Sequence, residues 1–292
     1  MAGDDDNLPP PEARLLPDCP TDGVSSLSYI RKAPSLLAAS SWDGTLRVYD
    51  TKTMTLQRSQ TMDAGPLLSL ATLADGSVVT GGLDGSIRRM ILDESSSTPQ
   101  VIGQHKVSND PSNKSQDIAC SCLSTLPELD LIASAGWHRQ FHLWDTRQQS
   151  PVATLDLPGK AFAMDADSSN HRVVVATSGR RLCFVDVRKG TVEEPESDQV
   201  TVDIVLDRES SLKYQSRAVR FFPGGSGIAV GSIEARVAIE YLEELGVEAK
   251  GKKYAFKCHR VGDRVYPVNC IEFHPRYGTF ATGGSDGTVG TC

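Results

Sequence analysis

Four cations in the second half of the chain have the types and spacing to do chemistry: Arg217, Arg236, Lys257 and Arg260. They are carried by the segment KYQSR (213–217) and by the run Gly231–Arg260, GSIEARVAIEYLEELGVEAKGKKYAFKCHR. Within that run, the polar turn Ser232-Ile233-Glu234-Ala235-Arg236 leads into the strand-like Val237–Tyr241. A second strand-like run, Tyr254-Ala255-Phe256, ends in Lys257-Cys258-His259-Arg260. Guanidinium and ammonium groups gathered on one face suit an acidic or phosphorylated peptide, because arginine's planar fork matches a carboxylate bidentately and lysine acts as a point charge. A lone arginine is ordinarily part of a solvated face. Four cations from separated segments on one face read as a binding site.

Other reactive residue types give less. Asp43, Asp84 and Asp286 recur at the same place in a repeating pattern, which marks them as turn aspartates bonding nearby backbone N–H groups rather than as catalytic acids. His259 has Cys258 beside it, but neighbours on a strand point to opposite faces, and His274 has no second ligand at ligand spacing. No phosphate-cradling glycine loop, nucleophile elbow or HExxH stretch is present in the sequence. The reading is therefore of a non-enzymatic chain with no catalytic residue, cofactor or metal site.

Composition sets the bounds. At 292 residues with 39% hydrophobic content, the chain can build one large repeat domain with a real core. A net charge of −7 argues against bulk nucleic-acid binding while permitting a local basic patch. Seven cysteines without a CxxC pair or a signal peptide indicate a reducing compartment and no disulfide framework. Cys120 and Cys122, two apart in a strand-like run, are expected to share a core-facing side. No apolar stretch reaches the roughly 18 residues that a membrane helix needs.

The elements that must position these residues come from a repeat. After an acidic, proline-rich leader at 1–18, expected to be disordered, the pattern of apolar run, small or acidic turn and alternating run appears six times. The copies are LLAASSWDGTLRVYD (36–50), VVTGGLDGSIRRMIL (78–92), LIASAGWHRQFHLWD (131–145), VVVATSGRRLCFVDV (173–187), IAVGSIEARVAIEY (228–241) and TFATGGSDGTVGTC (279–292). Their turns align Asp43, Asp84, His138, Arg180 or Arg181, Glu234 and Asp286. A period of about 40 residues with several short strands per unit is the pattern of a propeller blade. Alternation in Leu46-Arg47-Val48-Tyr49 and Phe141-His142-Leu143-Trp144 marks half-buried strands, and the Asp-Gly turns suit tight hairpins. No long helix is expected; Leu242–Lys250 allows a short helical excursion. The fold class is all-β, a WD-repeat β-propeller over 19–292, incomplete because the sixth copy runs into Cys292. Such a chain is expected to expose apolar edge strands.

In a propeller the aligned turns lie on one face, so Trp42, Trp137, Arg180 and Arg236 are expected there. Lys257 and Arg260 end a strand leading to that face, and Arg217 begins one leaving it. The turn position of Trp42 and Trp137 favours exposure, whereas Trp144 sits at a core position in a strand.

The segments ESSLKYQSR (209–217), GSIEARVAIEYL (231–242), KKYAFKCHR (252–260), YPVN (266–269), FATGGSDG (280–287) and SSWDGTLRVYD (40–50) resemble the spindle-checkpoint Trp-Asp-repeat proteins of the "budding uninhibited by benzimidazoles" family. The likeness spans about residues 20–289. A related propeller of messenger-RNA export at the nuclear pore shares the KCHR element. The resemblance implies a seven-bladed, non-catalytic adaptor in the nucleus and at the kinetochore. Its partners would be GLEBS motifs of checkpoint kinases and phosphorylated MELT repeats of the kinetochore scaffold, with no membrane and no direct nucleic-acid contact. Carried over by motif, Arg217 and Arg260 would pair with GLEBS glutamates, Arg236 and Lys257 would hold the phosphothreonine, and Trp42 and Trp137 would supply an aromatic floor. Ala235 departs from the family's Ile-Glu-Gly-Arg pattern. If that position needs positive φ, alanine costs about 1 kcal/mol or shifts the turn.

Overall fold

The computed structural model describes residues 14–92, 98–106, 117–148, 150–189, 199–247 and 251–291. Most of the expected leader, residues 1–13, lies outside the described residues. The chain folds as six antiparallel meanders arranged as the blades of a propeller. Blade 1 holds β1 (Val24–Ile30), β2 (Ala33–Ser41), β3 (Thr45–Asp50) and β4 (Thr55–Thr61). Blade 2 holds β5 (Leu67–Thr72), β6 (Val78–Gly82), β7 (Ser86–Met90) and β8 (Gln100–Gln104). Blade 3 holds β9 (Cys122–Leu126), β10 (Leu131–Ala135), β11 (Gln140–Asp145) and β12 (Ala153–Asp156). Blade 4 holds β13 (Ala161–Asp167), β14 (Arg172–Thr177), β15 (Arg181–Lys189) and β16 (Val200–Glu209). Blade 5 holds β17 (Ser216–Phe221), β18 (Gly227–Ser232), β19 (Arg236–Tyr241) and β20 (Tyr254–Lys257). A small hairpin, β21 (Arg260–Val261) and β22 (Arg264–Val265), precedes blade 6, whose described strands are β23 (Val268–Phe273), β24 (Phe280–Gly284) and β25 (Val289–Thr291).

Each repeated copy in the sequence is the central hairpin of one blade. Alternation puts one set of side chains against the next blade, so the core is divided among the blade interfaces. Leu46 and Val48 of blade 1 pack with Leu67, Val78 and Met90 of blade 2. Ile132 and Trp144 of blade 3 pack with Val79 and Ile87 of blade 2. Phe141 and Leu143 face Val173 and Val185 of blade 4, Phe184 faces Phe221 and Val230 of blade 5, and Val237 faces Ile271 and Phe280 of blade 6. These five clusters serve the five interfaces between consecutive blades. Among the described residues no core cluster joins blade 6 to blade 1. There, β1 exposes Val24, Leu27 and Tyr29, and β25 exposes Val289. The expectation of uncovered apolar strands is met at those two places.

A charged cluster reinforces the inner strands of blades 4 to 6. Arg220 on β17 donates to Asp165 on β13 at 3.1 Å, to the Ile271 carbonyl at 3.1 Å and to Glu272 on β23 at 3.1 Å. Asp165 also accepts the Phe221 N–H at 2.8 Å. One guanidinium thus ties three blades together.

The turns between the second and third strands share one backbone form. Their last residue is left-handed in all six blades: Gly44 (φ 80°), Gly85 (79°), Arg139 (62°), Arg180 (63°), Ala235 (56°) and Gly287 (76°). In blade 4 this places Gly179 where Asp43 stands in blade 1, with Arg180 in the glycine's place and Arg181 opening β15. The sequence alignment of Arg180 or Arg181 with Asp43 is corrected accordingly. Cys120 and Cys122 are both buried, but on different interfaces, blade 2–3 and blade 3–4. Strand alternation does not apply to them, because Cys120 lies in irregular chain before β9. Glu243–Leu245 forms a single 3₁₀ turn within the expected helical excursion; residues 248–250 lie outside the described residues.

Candidate peptide-binding face

The turn Ile233–Ala235, between β18 and β19, gathers the cation-bearing segments. Its Ile233 N–H donates to the Gln215 carbonyl at 3.1 Å, and the Cys258 N–H donates to the Ala235 carbonyl at 3.1 Å. Arg236 opens β19 and stands directly opposite Lys257 on β20. Cross-strand partners of this kind have Cβ atoms about 5 Å apart on the same face of the sheet. Arg236 lies 3.7 Å from the Glu234 carboxylate. Lys257 and Arg260 are exposed, and Arg260 donates to the Glu234 carbonyl at 3.1 Å.

Arg217 is set by another device. The pairing of β17 with β18 passes from Ser216–Ser232 to Ala218–Gly231, leaving Arg217 at a bulge. A bulge re-aims the side chain that it carries. The guanidinium donates to Asn269 Oδ1 at 2.7 Å, and Asn269 donates to Ser285 Oγ at 2.9 Å. Asn269 is itself at the matching bulge of β23, and Phe162 is at that of β13. Arg236, Lys257 and Arg260 thus lie about the turn Ile233–Ala235, while Arg217, two residues beyond the Gln215 carbonyl that holds this turn, turns its guanidinium to blade 6.

Trp42 and Trp137 stand at the equivalent turns of blades 1 and 3, and blade 3 is separated from the cations by blade 4. Trp42 is 44% exposed and Trp137 is half-buried, while Trp144 is buried in the core as its strand position predicts. The same turn position carries Leu83 in blade 2 and Ile233 in blade 5, both exposed. With Phe162 they add apolar surface to the cationic face, and none of the three was singled out from the sequence. Leu83 and Ile233 were legible as residues aligned with Trp42. Phe162 was not, because a bulge leaves no mark in the alternation.

Ala235 keeps the left-handed turn that glycine adopts in blades 1, 2 and 6, and its side chain is fully buried. The turn is retained rather than shifted, so the pose of Arg236 opposite Lys257 follows from the shared backbone form.

The turn aspartates are structural. Asp43 accepts the Thr45 N–H at 2.9 Å, the Thr21 N–H at 2.9 Å and the Arg47 guanidinium at 3.1 Å. Burial alone would raise its pKa, but the bonds from Thr45, Thr21 and Arg47 outweigh it and hold the carboxyl well below the usual carboxylate range. Asp84 repeats the arrangement with Ser86 and Arg88. Asp286 accepts from the Thr288 N–H at 3.2 Å and pairs with His259 Nδ1 at 3.0 Å. His259 Nε2 bonds Thr282 at 2.9 Å, so this histidine is occupied by blade 6.

A second group escaped the sequence reading. His105, His138 and His142 are buried together between blades 2 and 3. Its one sequence signal is that His138 and His142 stand where Asp43 and Arg47 stand in blade 1.

Comparison with known proteins agrees with this architecture. A family model described as "WD domain, G-beta repeat" matches residues 14–50 and 252–290. The "Mitotic checkpoint protein bub-3" of Caenorhabditis elegans is 37% identical over 289 residues, covering 96% of this chain and 77% of the relative. The "Mitotic checkpoint protein BUB3.1" of Arabidopsis thaliana is 36% identical, with 96% and 76% covered. A "Poly(A)+ RNA export protein" of Schizosaccharomyces pombe is 32% identical, with 92% and 71% covered. With the six-bladed fold and identity of this extent, the chain belongs to the Bub3 family of WD-repeat mitotic checkpoint proteins.

Proposed function

We propose that this protein is a non-catalytic adaptor of the spindle assembly checkpoint, acting in the nucleus and at kinetochores. In this reading the cationic face grips GLEBS motifs of checkpoint kinases through Arg217 and Arg260. Arg236 and Lys257 hold the phosphothreonine of MELT repeats on the kinetochore scaffold, and Trp42 and Trp137 extend the contact across the face. The observation that carries the proposal is the pairing of Arg236 with Lys257, with Arg260 bonded to the adjoining turn at the Glu234 carbonyl. Two like charges placed opposite each other on a strand pair are unfavourable alone and favourable once an anion lies between them.

Affinity capture from mitotic cells tests the proposal. Checkpoint kinases and the kinetochore scaffold are expected in the wild-type eluate and absent from that of Arg217→Glu. The similarity to an RNA export protein favours one second reading, a propeller that binds a GLEBS-like segment of a pore protein. Pore components in place of kinases would select it, as would nucleic-acid binding with a steep salt dependence.

A further inference from the structure

The buried histidines of blade 3 replace an arrangement that other blades retain. In blades 1 and 2 the turn aspartate pairs with the arginine four residues on, Asp43–Arg47 and Asp84–Arg88, each at 3.1 Å. In blade 3 these positions are His138 and His142, whose Nε2 atoms lie 2.9 Å apart. The aspartate has a second partner in blade 6, where His259 Nδ1 bonds Asp286 and its Nε2 bonds Thr282. His105 makes the corresponding approach to blade 3, with Nε2 on Ser134 Oγ at 2.8 Å. Where it would meet a carboxylate it meets the ring of His138, 4.1 Å away between centroids. His105 is 1% exposed, and although the Ile118 and Ala119 carbonyls lie near its ring, its Nδ1 makes no hydrogen bond among the described residues.

Three features make this trio a ligand set. One nitrogen from each ring lies within 4.8 Å of one from each of the others. Two rings are oriented from behind: Thr154 bonds His142 Nδ1 at 2.9 Å, so that its Nε2 faces His138, and Ser134, which also accepts Trp144 Nε1–H at 2.8 Å, holds His105 by Nε2. Such outer bonds set the tautomer of metal-binding histidines. A groove of about 550 Å³ between β8 and β11, lined by Gln104, Lys106, Gln140, His142 and Trp144, leads from solvent to His142.

We propose that His105, His138 and His142 bind one divalent transition-metal ion of the zinc class, fastening the end of β8 in blade 2 to the central hairpin of blade 3. Imidazole nitrogens at about 2.0–2.1 Å from a tetrahedral ion lie roughly 3.3 Å apart and their ring centroids about 5 Å apart; His142 already stands 5.0 Å and 5.2 Å from His105 and His138 between centroids, and ion binding requires the His105 and His138 rings, now 4.1 Å apart, to separate by about 1 Å. Neutral imidazoles without thiolate or carboxylate favour zinc, nickel, copper or cobalt over magnesium or calcium.

The test uses the full chain stripped by a chelator, then titrated with Zn²⁺ against a chromophoric competitor. One equivalent is expected to bind with micromolar or lower Kd and to raise the melting temperature. The control is His138→Asp/His142→Arg, which installs the pair that blades 1 and 2 already accommodate. It is expected to fold, to give His105 the carboxylate that His259 has, and to lose the site at least a hundredfold. Equal zinc affinity in wild type and control would overturn the proposal. A second measurement does not depend on the variant: Co²⁺ added to wild type is expected to give the strong d–d absorption of a four-coordinate ion without a thiolate charge-transfer band. A weak, six-coordinate spectrum would equally overturn it.

Discussion

Replacing Lys257 by alanine separates a binding role from a structural one, because the two predict changes of opposite kind. Lys257 is exposed and faces Arg236 across the β19–β20 pair. Two unit charges about 7 Å apart repel by roughly 0.6–2.4 kcal/mol for effective dielectrics between 80 and 20. Glu234, 3.7 Å from Arg236, offsets most of this. Removing the lysine is therefore expected to leave the free protein unchanged or stabilise it by about 0.5 kcal/mol, the gain shrinking with added salt. The bound state responds differently. A charge-assisted hydrogen bond to phosphate contributes about 1.5–3 kcal/mol, so losing one lowers the preference for a phosphorylated over an unphosphorylated MELT peptide roughly ten- to hundredfold. The assay is calorimetric titration of both peptides against wild type and Lys257→Ala, with melting temperatures measured in parallel. Undiminished phosphate preference in the variant would refute the reasoning, as would a lost preference explained by a lower melting temperature.

Three further outcomes follow from the fold. Arg220→Met should lower stability by about 2–3 kcal/mol in urea titration, since it leaves Asp165 on the Phe221 N–H and unties Glu272; a loss under 0.5 kcal/mol would show that the cluster contributes little. Asp43→Asn should cost about 2 kcal/mol at pH 7. The folded-state pKa of Asp43 is depressed, so the unfolded chain takes up the proton first, and the advantage over asparagine should fade as the pH falls below about 4; a constant difference from pH 7 to pH 2 would contradict the assignment. Arg139→Gly relieves a left-handed arginine, worth about 1–2 kcal/mol, against roughly 0.5–1 kcal/mol of added chain entropy, so a small rise in melting temperature is expected and a fall would argue against strain at that turn.

The sequence carried much of this structure in readable form. Each repeated copy is one central hairpin because strict alternation, a turn and a second alternation leave few other ways to bury Leu46, Val48, Phe141 and Leu143. That Arg236 and Lys257 come together was legible because they flank strand-like runs that pair as neighbours. What escaped depends on contacts between blades. The bulges that carry Arg217, Asn269 and Phe162 are register shifts between strands, invisible in either strand alone. The histidine trio joins residues that meet only when blade 2 packs on blade 3, so ligand spacing along one element could not reveal it. The turn of blade 4 was misaligned by one or two residues because Gly179 stands where blades 1, 2 and 6 carry the aspartate that anchors the alignment, and Arg180 takes the left-handed place of their glycine.

The proposed peptide-binding face is built from Arg217, Arg236, Lys257 and Arg260. Its most direct test is titration of a glutamate-bearing GLEBS peptide into wild type and Arg217→Glu at low and physiological salt. Saturable 1:1 binding to the wild type and a loss of a hundredfold or more in the variant are expected, with an unchanged circular dichroism spectrum, since Arg217 is exposed and makes a side-chain bond to Asn269. An unaltered dissociation constant in Arg217→Glu would contradict it.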